Sequence, residues 1–315
     1  MEKIIDAVDV DLIKSELTPD RLLRKTNKAN NDLYIFTAQE APHTMREIGR
    51  LREIAFRTAG GGTGLACDID KYDTMDNPYK QLIVWNPDAE EIIGGYRYFH
   101  GSRATLGENG QPLLATAHMF HFSEQFIQDF LPYTLELGRS FVRVEYQSSI
   151  AGNKGLFALD NLWDGLGALT VTKLNTKYFF GKVTMYRTFD AEARNLILYF
   201  INKHFPDRDK LITPYEPLKT GINEVEMERI FTSDEYNENY KILNALVREK
   251  GYNIPPLVNA YMGLSSTMRV FGTSINDEFG DVEETGILIT VSEISKNKYE
   301  RHIETFVNTI LKKRN

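Results

Sequence analysis

The chain of 315 residues is 42% hydrophobic and 26% charged, with a formal net charge of −7 and a single cysteine. That balance belongs to an ordinary globular protein long enough for one large domain, and it argues against a general nucleic-acid binder. Cys67 alone excludes an intrachain disulfide and a cysteine-rich zinc site, and no apolar run approaches the ~20 residues of a membrane span. The acidic N-terminus, MEKIIDAVDVDLIK, lacks the basic start and apolar core of a signal peptide, so a cytoplasmic protein is expected.

Residues 1–31 read as a helical or irregular lead-in, and 32–37 (DLYIFT) as the first strand. A helix is expected from Pro42, burying Met45, Ile48, Leu51 and Ala55 and stopping at Gly60-Gly61-Gly62. An acidic loop over 68–78 leads to strands at 81–85 and 91–99, joined by the turn Asn86-Pro87-Asp88. A short strand at 119–122, a short helix at 124–130 and a strand at 135–146 follow. Next come a helix over 155–169 with Leu159, Leu162, Trp163 and Leu166 inward, a strand at 178–185 and a helix at 191–204. This succession predicts an α/β arrangement with a mixed sheet. Residues 205–256, rich in proline and charge with one clear helix at 237–249, read as an insertion or lid within a domain spanning 32–315. A short helix at 257–262 and strands at 268–271 and 287–291 precede an amphipathic helix over 294–315. That helix turns Ile303, Phe306, Ile310 and Leu311 inward and ends in Lys312-Lys313-Arg314, as a helix C-terminus favours.

Several motifs are missing. The sequence has no Walker lysine loop, no Rossmann glycine fingerprint after a strand, no HExxH and no GxSxG. GGGTG at 60–64 stands away from a strand–helix junction, so phosphate binding is not expected there. His118 and His121 face opposite ways on a strand, and no metal site is expected. Asp70 and Glu136 would make a carboxylate pair, but nothing around them suggests a sugar site.

The stretch LELGRSFVRVEY at 135–146 is a strand by composition, yet carries Glu136, Arg139 and Arg143 with Gly138 between them. Regular alternation sets Glu136 and Arg139 on opposite faces. A β-bulge at Gly138 brings them to one side.

In chain order the ions read Arg52 with Phe56, Asp70 with Asp73, Arg97, then Glu136 with Arg139. This order resembles the acyl-homoserine-lactone autoinducer synthases, whose pattern runs Arg-x-x-x-Phe, Asp-x-x-Asp, a strand arginine and Glu-x-x-Arg. The tryptophan those enzymes carry after the first helix is missing. The motifs EIIGGYR, ELGRSFV and IPPL followed by Tyr261 are similar to those of their relatives, the hemolysin-like ornithine-lipid and glycine-lipid N-acyltransferases. The resemblance covers about residues 32–292. It implies a GNAT-like acyltransferase fold, a mixed, mostly antiparallel splayed sheet flanked by helices. Its cleft then lies between the 135–146 strand and the 178–185 strand.

The implied reaction is transfer of a long-chain 3-hydroxyacyl group to an amino-acid α-amine, glycine before ornithine or lysine. The product is an N-acyl amino acid or the lyso precursor of an aminolipid, which a partner O-acyltransferase would complete. Such an enzyme binds no resident cofactor and takes acyl carrier protein (ACP), with its phosphopantetheine thioester, as co-substrate. Acyl-coenzyme A is the alternative donor. The coenzyme-A pyrophosphate loop is not cleanly present in 147–155, which favours the carrier. Glu136 is the expected base and Arg139 its catalytic partner. Arg52, Phe56, Asp70, Asp73, Arg97 and Ser140 are the expected substrate-binding residues, with Arg97 and Arg139 on the carboxylate. Phe120, Phe122, Phe141 and Phe180 are expected to line an acyl tunnel, and Lys154, Lys173, Lys177 and Lys182 to dock an acidic carrier. A work site at the inner face of the membrane, by peripheral contact, suits such a lipid product. The alternative is a non-catalytic acyl-lipid or carrier-binding protein that retains the fold.

Overall fold

A computed structural model describes residues 1–147, 157–172 and 175–314, with side chains to Leu311. Lys154, Lys173 and nearly all of the 147–155 loop lie outside the described residues, as do the side chains of the basic C-terminus.

Ten strands are present among the described residues. They are β1 (Leu22–Lys25), β2 (Asp32–Phe36), β3 (Lys80–Asn86), β4 (Glu91–His100), β5 (Phe120–Phe122), β6 (Thr134–Val142), β7 (Tyr178–Met185), β8 (Ile212–Pro214), β9 (Arg269–Asn276) and β10 (Val282–Thr290). Eight form one sheet in the order β1-β2-β3-β4-β6-β7-β10-β9, and β5 pairs with β8 apart from it. Every pairing in the large sheet is antiparallel except β6 with β7. The expected mixed, mostly antiparallel α/β fold is therefore present. The lead-in is part of it, because β1 is the sheet's first edge strand.

Helices cover both faces. On one lies α1 (Val10–Glu16) against α2 (Pro42–Ala59), whose Met45, Ile48, Leu51, Ala55 and Phe56 meet Phe36, Ile83, Trp85, Ile92 and Phe141 of the sheet. Glu16 accepts the His43 and Thr44 N–H groups at 3.0 and 2.7 Å, occupying donors that the start of α2 leaves open. Gly60 ends α2 at φ +97°, a conformation that glycine adopts without strain. On the other face Leu82 and Val84 pack on Leu162, Leu166 and Leu169 of the helix Ala158–Thr172. Strand β3 is covered from both sides, which is why it reads as an unbroken apolar run.

The sheet forks between β6 and β7. These strands pair only from Thr134–Tyr178 to Glu136–Phe180, then separate. Gly181 sits at the crotch, where an added Cβ would lie 2.9 Å from the Leu137 carbonyl oxygen. A bulge in β6 accompanies the separation. Gly95 pairs with Phe141 and Arg97 with Gly138, so Arg139 and Ser140 together oppose Tyr96. The extra residue therefore lies one position beyond the expected Gly138, and Arg139 itself takes the left-handed conformation at φ +47°. Its side chain is held by carboxylates described below, which offsets the roughly 1–2 kcal/mol such a conformation costs.

Residues 205–256 are woven into the fold. Strand β8 and a second helix, Glu224–Ile230, precede Tyr236–Glu249, and Phe231, Leu243 and Val247 are buried in the main core. The C-terminal segment is broken by a wide turn at Glu300–Glu304. That turn changes the helical phase: Ile303 and Phe306 are buried as expected, but Leu311 is 52% exposed.

Candidate active site

The acidic loop folds around a short turn, Lys71–Thr74, held at both ends by its own aspartates. Asp70 accepts the Tyr72 and Asp73 N–H groups, while Asp73 accepts the Asp70 N–H at 3.2 Å. This reciprocal cap turns the loop's carboxylates toward α2, β4 and β6. Asp73, fully buried, meets Arg52 of α2 at 3.3 Å, Arg97 of β4 at 3.2 Å and the Gln81 amide at 2.9 Å. Arg97 also reaches Asp70 at 2.7 Å. Arg139 contacts Asp68 at 2.9 Å and Asp70 at 3.6 Å, with its guanidinium 4.4 Å from the Phe279 ring centre. Three arginines thus face three aspartates, which compensates charges that burial would otherwise expel. Burial pushes the Asp73 carboxyl up, but Arg52 and Arg97 outweigh it and hold it below the usual range. Arg97 is raised in turn: its aspartates outweigh the cost of burial.

Glu136 stands apart from this network. It is 2% exposed, and Arg139 pairs with Asp68 and Asp70 instead of with it. Its Oε2 accepts the Tyr79 hydroxyl, and its Oε1 accepts the Thr116 hydroxyl at 2.7 Å and the Thr116 N–H at 3.1 Å. Tyr79 accepts the Ala115 N–H at 2.9 Å. Burial and the adjacent Glu136 push the Tyr79 phenol well above its usual value, so it stays a donor. Paired strand residues share a face in a parallel ladder. Glu136 on β6 and Phe180 on β7 are so paired, and Lys182, two residues on, shares their face. Lys182 pairs with the buried Glu284, which also accepts from Asn276 at 2.9 Å and Thr184 at 3.1 Å. Burial pushes the Glu284 carboxyl up, and Lys182 more than reverses this.

Two cavities meet at the fork. The smaller, about 50 Å³, is polar and lined by Asp70, Arg97, Thr116, Glu136, Arg139 and Lys182 among others. The larger, about 210 Å³, passes between β6 and β7 and is walled by Phe56, Tyr96, Ser140, Tyr261, Leu257 and Phe279 among others. Leu137, Gly138, Arg139, Lys182 and Phe279 border both. Glu136 and Arg139 therefore open onto one cavity, with the bulge turning Arg139 toward it. A carboxylate, several N–H donors and an adjoining apolar space suit joining a small charged molecule to an apolar one.

The structure does not gather every expected residue at these walls. Arg52 and Asp73 lie behind the smaller cavity as its buried support. Phe120, Phe122 and Phe180 share one cluster with Phe126 and Phe271, in which Phe180 meets Phe122 and Phe126 edge to face, and Phe141 belongs to the cluster under α2. The four do not form one surface: the bulge leaves Phe141 on the same face as Glu136, but it packs under α2, away from the cluster of the other three. Lys182 is inside the cleft, paired with Glu284, whereas Lys177 is exposed with its ammonium 4.1 Å from the Tyr133 ring centre. Nor does GGGTG offer its N–H groups: Glu53 accepts from Thr63 and Gly64.

Asp68, Tyr79, Thr116, Glu284, Tyr96 and Phe279 went unnoticed in the sequence. Asp68 repeats the acidic character of Asp70 two positions earlier and was within reach of pattern reading. Thr116 sits in a long irregular segment and has no sequence signal.

A family model described as "Acetyltransferase (GNAT) domain" matches residues 51–153, which run from α2 through β6. A glycine N(alpha)-acyltransferase of Bacteroides thetaiotaomicron is 65% identical over 309 residues, covering 98% of this chain and 92% of its own. One from Phocaeicola vulgatus is 64% identical over 307 residues, covering 98% and 94%. The solved structure of a CoA-dependent acyl-homoserine lactone synthase with SAM and isopentyl-CoA aligns over 86% of this chain and 89% of its own. It does so at 9% identity and a TM-score of 0.35. With that identity to both curated relatives across nearly its whole length, the chain belongs to the glycine N(alpha)-acyltransferase family of GNAT-fold N-acyltransferases.

Proposed function

We propose that this enzyme transfers a long-chain 3-hydroxyacyl group from ACP to the α-amine of glycine. The reading is supported chiefly by the meeting of the two cavities at the fork. The smaller has about 50 Å³, and at ~10–15 Å³ per water-sized group it takes roughly three to five such groups. Glycine has five heavy atoms, whereas ornithine or lysine needs room for a further chain. The relatives' names point the same way.

In this reading the amine sits between Glu136 and the thioester carbonyl. Three donors already engage Glu136, and of the roughly four lone-pair sites of a carboxylate one remains for a substrate N–H. As the C–N bond forms, Glu136 takes the departing proton, and the C–S bond breaks with its electron pair going to the leaving thiolate. Beyond Glu136, β6 has no partner on its β7 side, so its N–H groups are available to the tetrahedral oxyanion. Arg97, whose buried Nε has no hydrogen-bond partner, lines the smaller cavity, where its guanidinium suits the glycine carboxylate. Asp68 and Asp70 hold Arg139 at the junction. The absence of a clear pyrophosphate loop in 147–155 supports the carrier over free coenzyme A.

The test is turnover of purified enzyme with 3-hydroxyacyl-ACP or 3-hydroxyacyl-coenzyme A and glycine, ornithine or lysine, read by mass spectrometry. N-acylglycine formed preferentially from ACP is expected. Preference for coenzyme A overturns the donor assignment, ornithine or lysine as the better acceptor overturns the amine assignment, and no N-acyl product from any pair overturns the reaction.

A further inference from the structure

The larger cavity contains a feature that the acyl-transfer reading leaves unused. Its walls are mostly apolar, from Phe56, Leu137, Tyr186, Pro255, Leu257 and Phe279. Against these, the hydroxyls of Tyr96 on β4, Ser140 on β6 and Tyr261 gather at one place. The bulge makes this possible, because Tyr96 is the residue that Arg139 and Ser140 jointly oppose. Tyr96 is 2% exposed and its Oη has no hydrogen-bond partner. The hydroxyls of Ser140 and Tyr261 interact with it, but neither meets it in hydrogen-bonding geometry. A buried hydroxyl left in this state is costly unless something else completes it.

The cluster lies close to the reacting centre. Ser140 is two residues from Gly138, which borders both cavities and marks where amine and thioester meet. A chain running from there into the larger cavity enters a space that Tyr96, Ser140 and Tyr261 all line. A pure hydrocarbon would leave Tyr96 unsatisfied. A hydroxyl, being donor and acceptor at once, satisfies it and can engage its two neighbours.

We propose that Tyr96, Ser140 and Tyr261 form a specificity site that reads a hydroxyl on the acyl chain near the thioester. The inference rests on the acyl-transfer reading for its ligand, and it assigns residues that would select among donors. Sites built to bond a substrate hydroxyl discriminate against the analogue lacking it, because their own polar groups are then left unpaired.

The experiment compares 3-hydroxyacyl and unsubstituted acyl donors of equal chain length on the same carrier. Equilibrium binding is measured without amine, and kcat/KM with glycine, for the wild type and for Tyr96→Phe, Ser140→Ala and Tyr261→Phe. The wild type should favour the hydroxylated donor by roughly 5- to 150-fold in binding, the range expected for an unmet buried hydroxyl. In Tyr96→Phe that ratio should fall toward one, since only the hydroxylated donor loses a contact. A wild-type binding ratio near one, or a ratio unchanged in all three variants, overturns the proposal. So does an equal loss for both donors, which would assign the cluster to the carrier's arm. Because binding is read without turnover, failure to acylate glycine would refute the reaction and leave this test standing.

Discussion

Replacing Glu136 by glutamine tests the proposed reaction most directly, since it removes a charge and keeps the volume. The glutamine oxygen can accept both Thr116 donors, but its amide then faces Tyr79 with a donor where the carboxylate had an acceptor. Tyr79 already accepts the Ala115 N–H, so its own proton loses its partner. One hydrogen bond to a charged acceptor is lost, about 1.5–3 kcal/mol. For a chain of this size that lowers Tm by roughly two to five degrees, so the variant should remain folded. A positioned base contributes about 10²–10⁴-fold to a proton-transfer step, so kcat/KM for glycine should fall by that factor with donor binding retained. The assay is steady-state acylation of glycine beside thermal unfolding and donor binding of the same preparation. A folded variant with wild-type kcat/KM would refute the assignment. A variant whose activity falls only as its folded fraction falls would make Glu136 structural.

Arg139→Ala strips Asp68 of its ion pair and Asp70 of one of two, while Asp68 stays buried; a stability loss of about 1–3 kcal/mol is expected by urea unfolding, with acylation abolished. A smaller loss in Arg139→Ala/Asp68→Asn than the sum of the singles would measure their coupling, and strict additivity would contradict the pair. Gly181→Ala places a methyl 2.9 Å from the Leu137 carbonyl at the crotch, so the arms must shift. A cost of about 1–3 kcal/mol with impaired donor binding is expected, and unaltered binding would count against the fork as the donor's passage. Asp73 and Glu284 are held below the usual carboxylate range by Arg52, Arg97 and Lys182, so each contributes stability above its unfolded pKa of about 4 that is lost as pH falls through its lower folded value. Unfolding free energy should therefore fall as pH drops below about 4, and Lys182→Met should flatten the part owed to Glu284. Stability independent of pH in that window would contradict both ion pairs.

Much of the fold was legible because its elements carry local signals. Alternation marked β2, β3 and β4, the 3.6-residue period with Pro42 and Gly60 bounded α2, and a lone glycine between ions announced an irregular β6. The order of the ions, through its resemblance to the acyltransferase pattern, brought Arg52, Asp70, Asp73, Arg97 and Arg139 together in expectation, from α2, the acidic loop, β4 and β6. The N-acyltransferase reading followed from that order, and the alternative of a non-catalytic relative gives way to family membership.

What the sequence could not decide were partnerships set by strand registry and loop path. It suggested only that a bulge at Gly138 would bring Glu136 and Arg139 to one side. The bulge carries Arg139 to Asp68, and a loop distant in sequence brings Thr116 to Glu136. Period-two geometry makes each such outcome hinge on a single residue of slip: the bulge brought Phe141 to the face of Glu136, where it packs under α2, and strand pairing set Lys182 in the cleft. The sequence by itself marked charges that burial would gather, because Arg52, Arg97, Glu136 and Arg139, set in apolar strands and on a helix face, cannot all reach water. Only the tertiary structure decided which of them neutralise one another and which, Glu136 above all, remain outside that network and line the cavity.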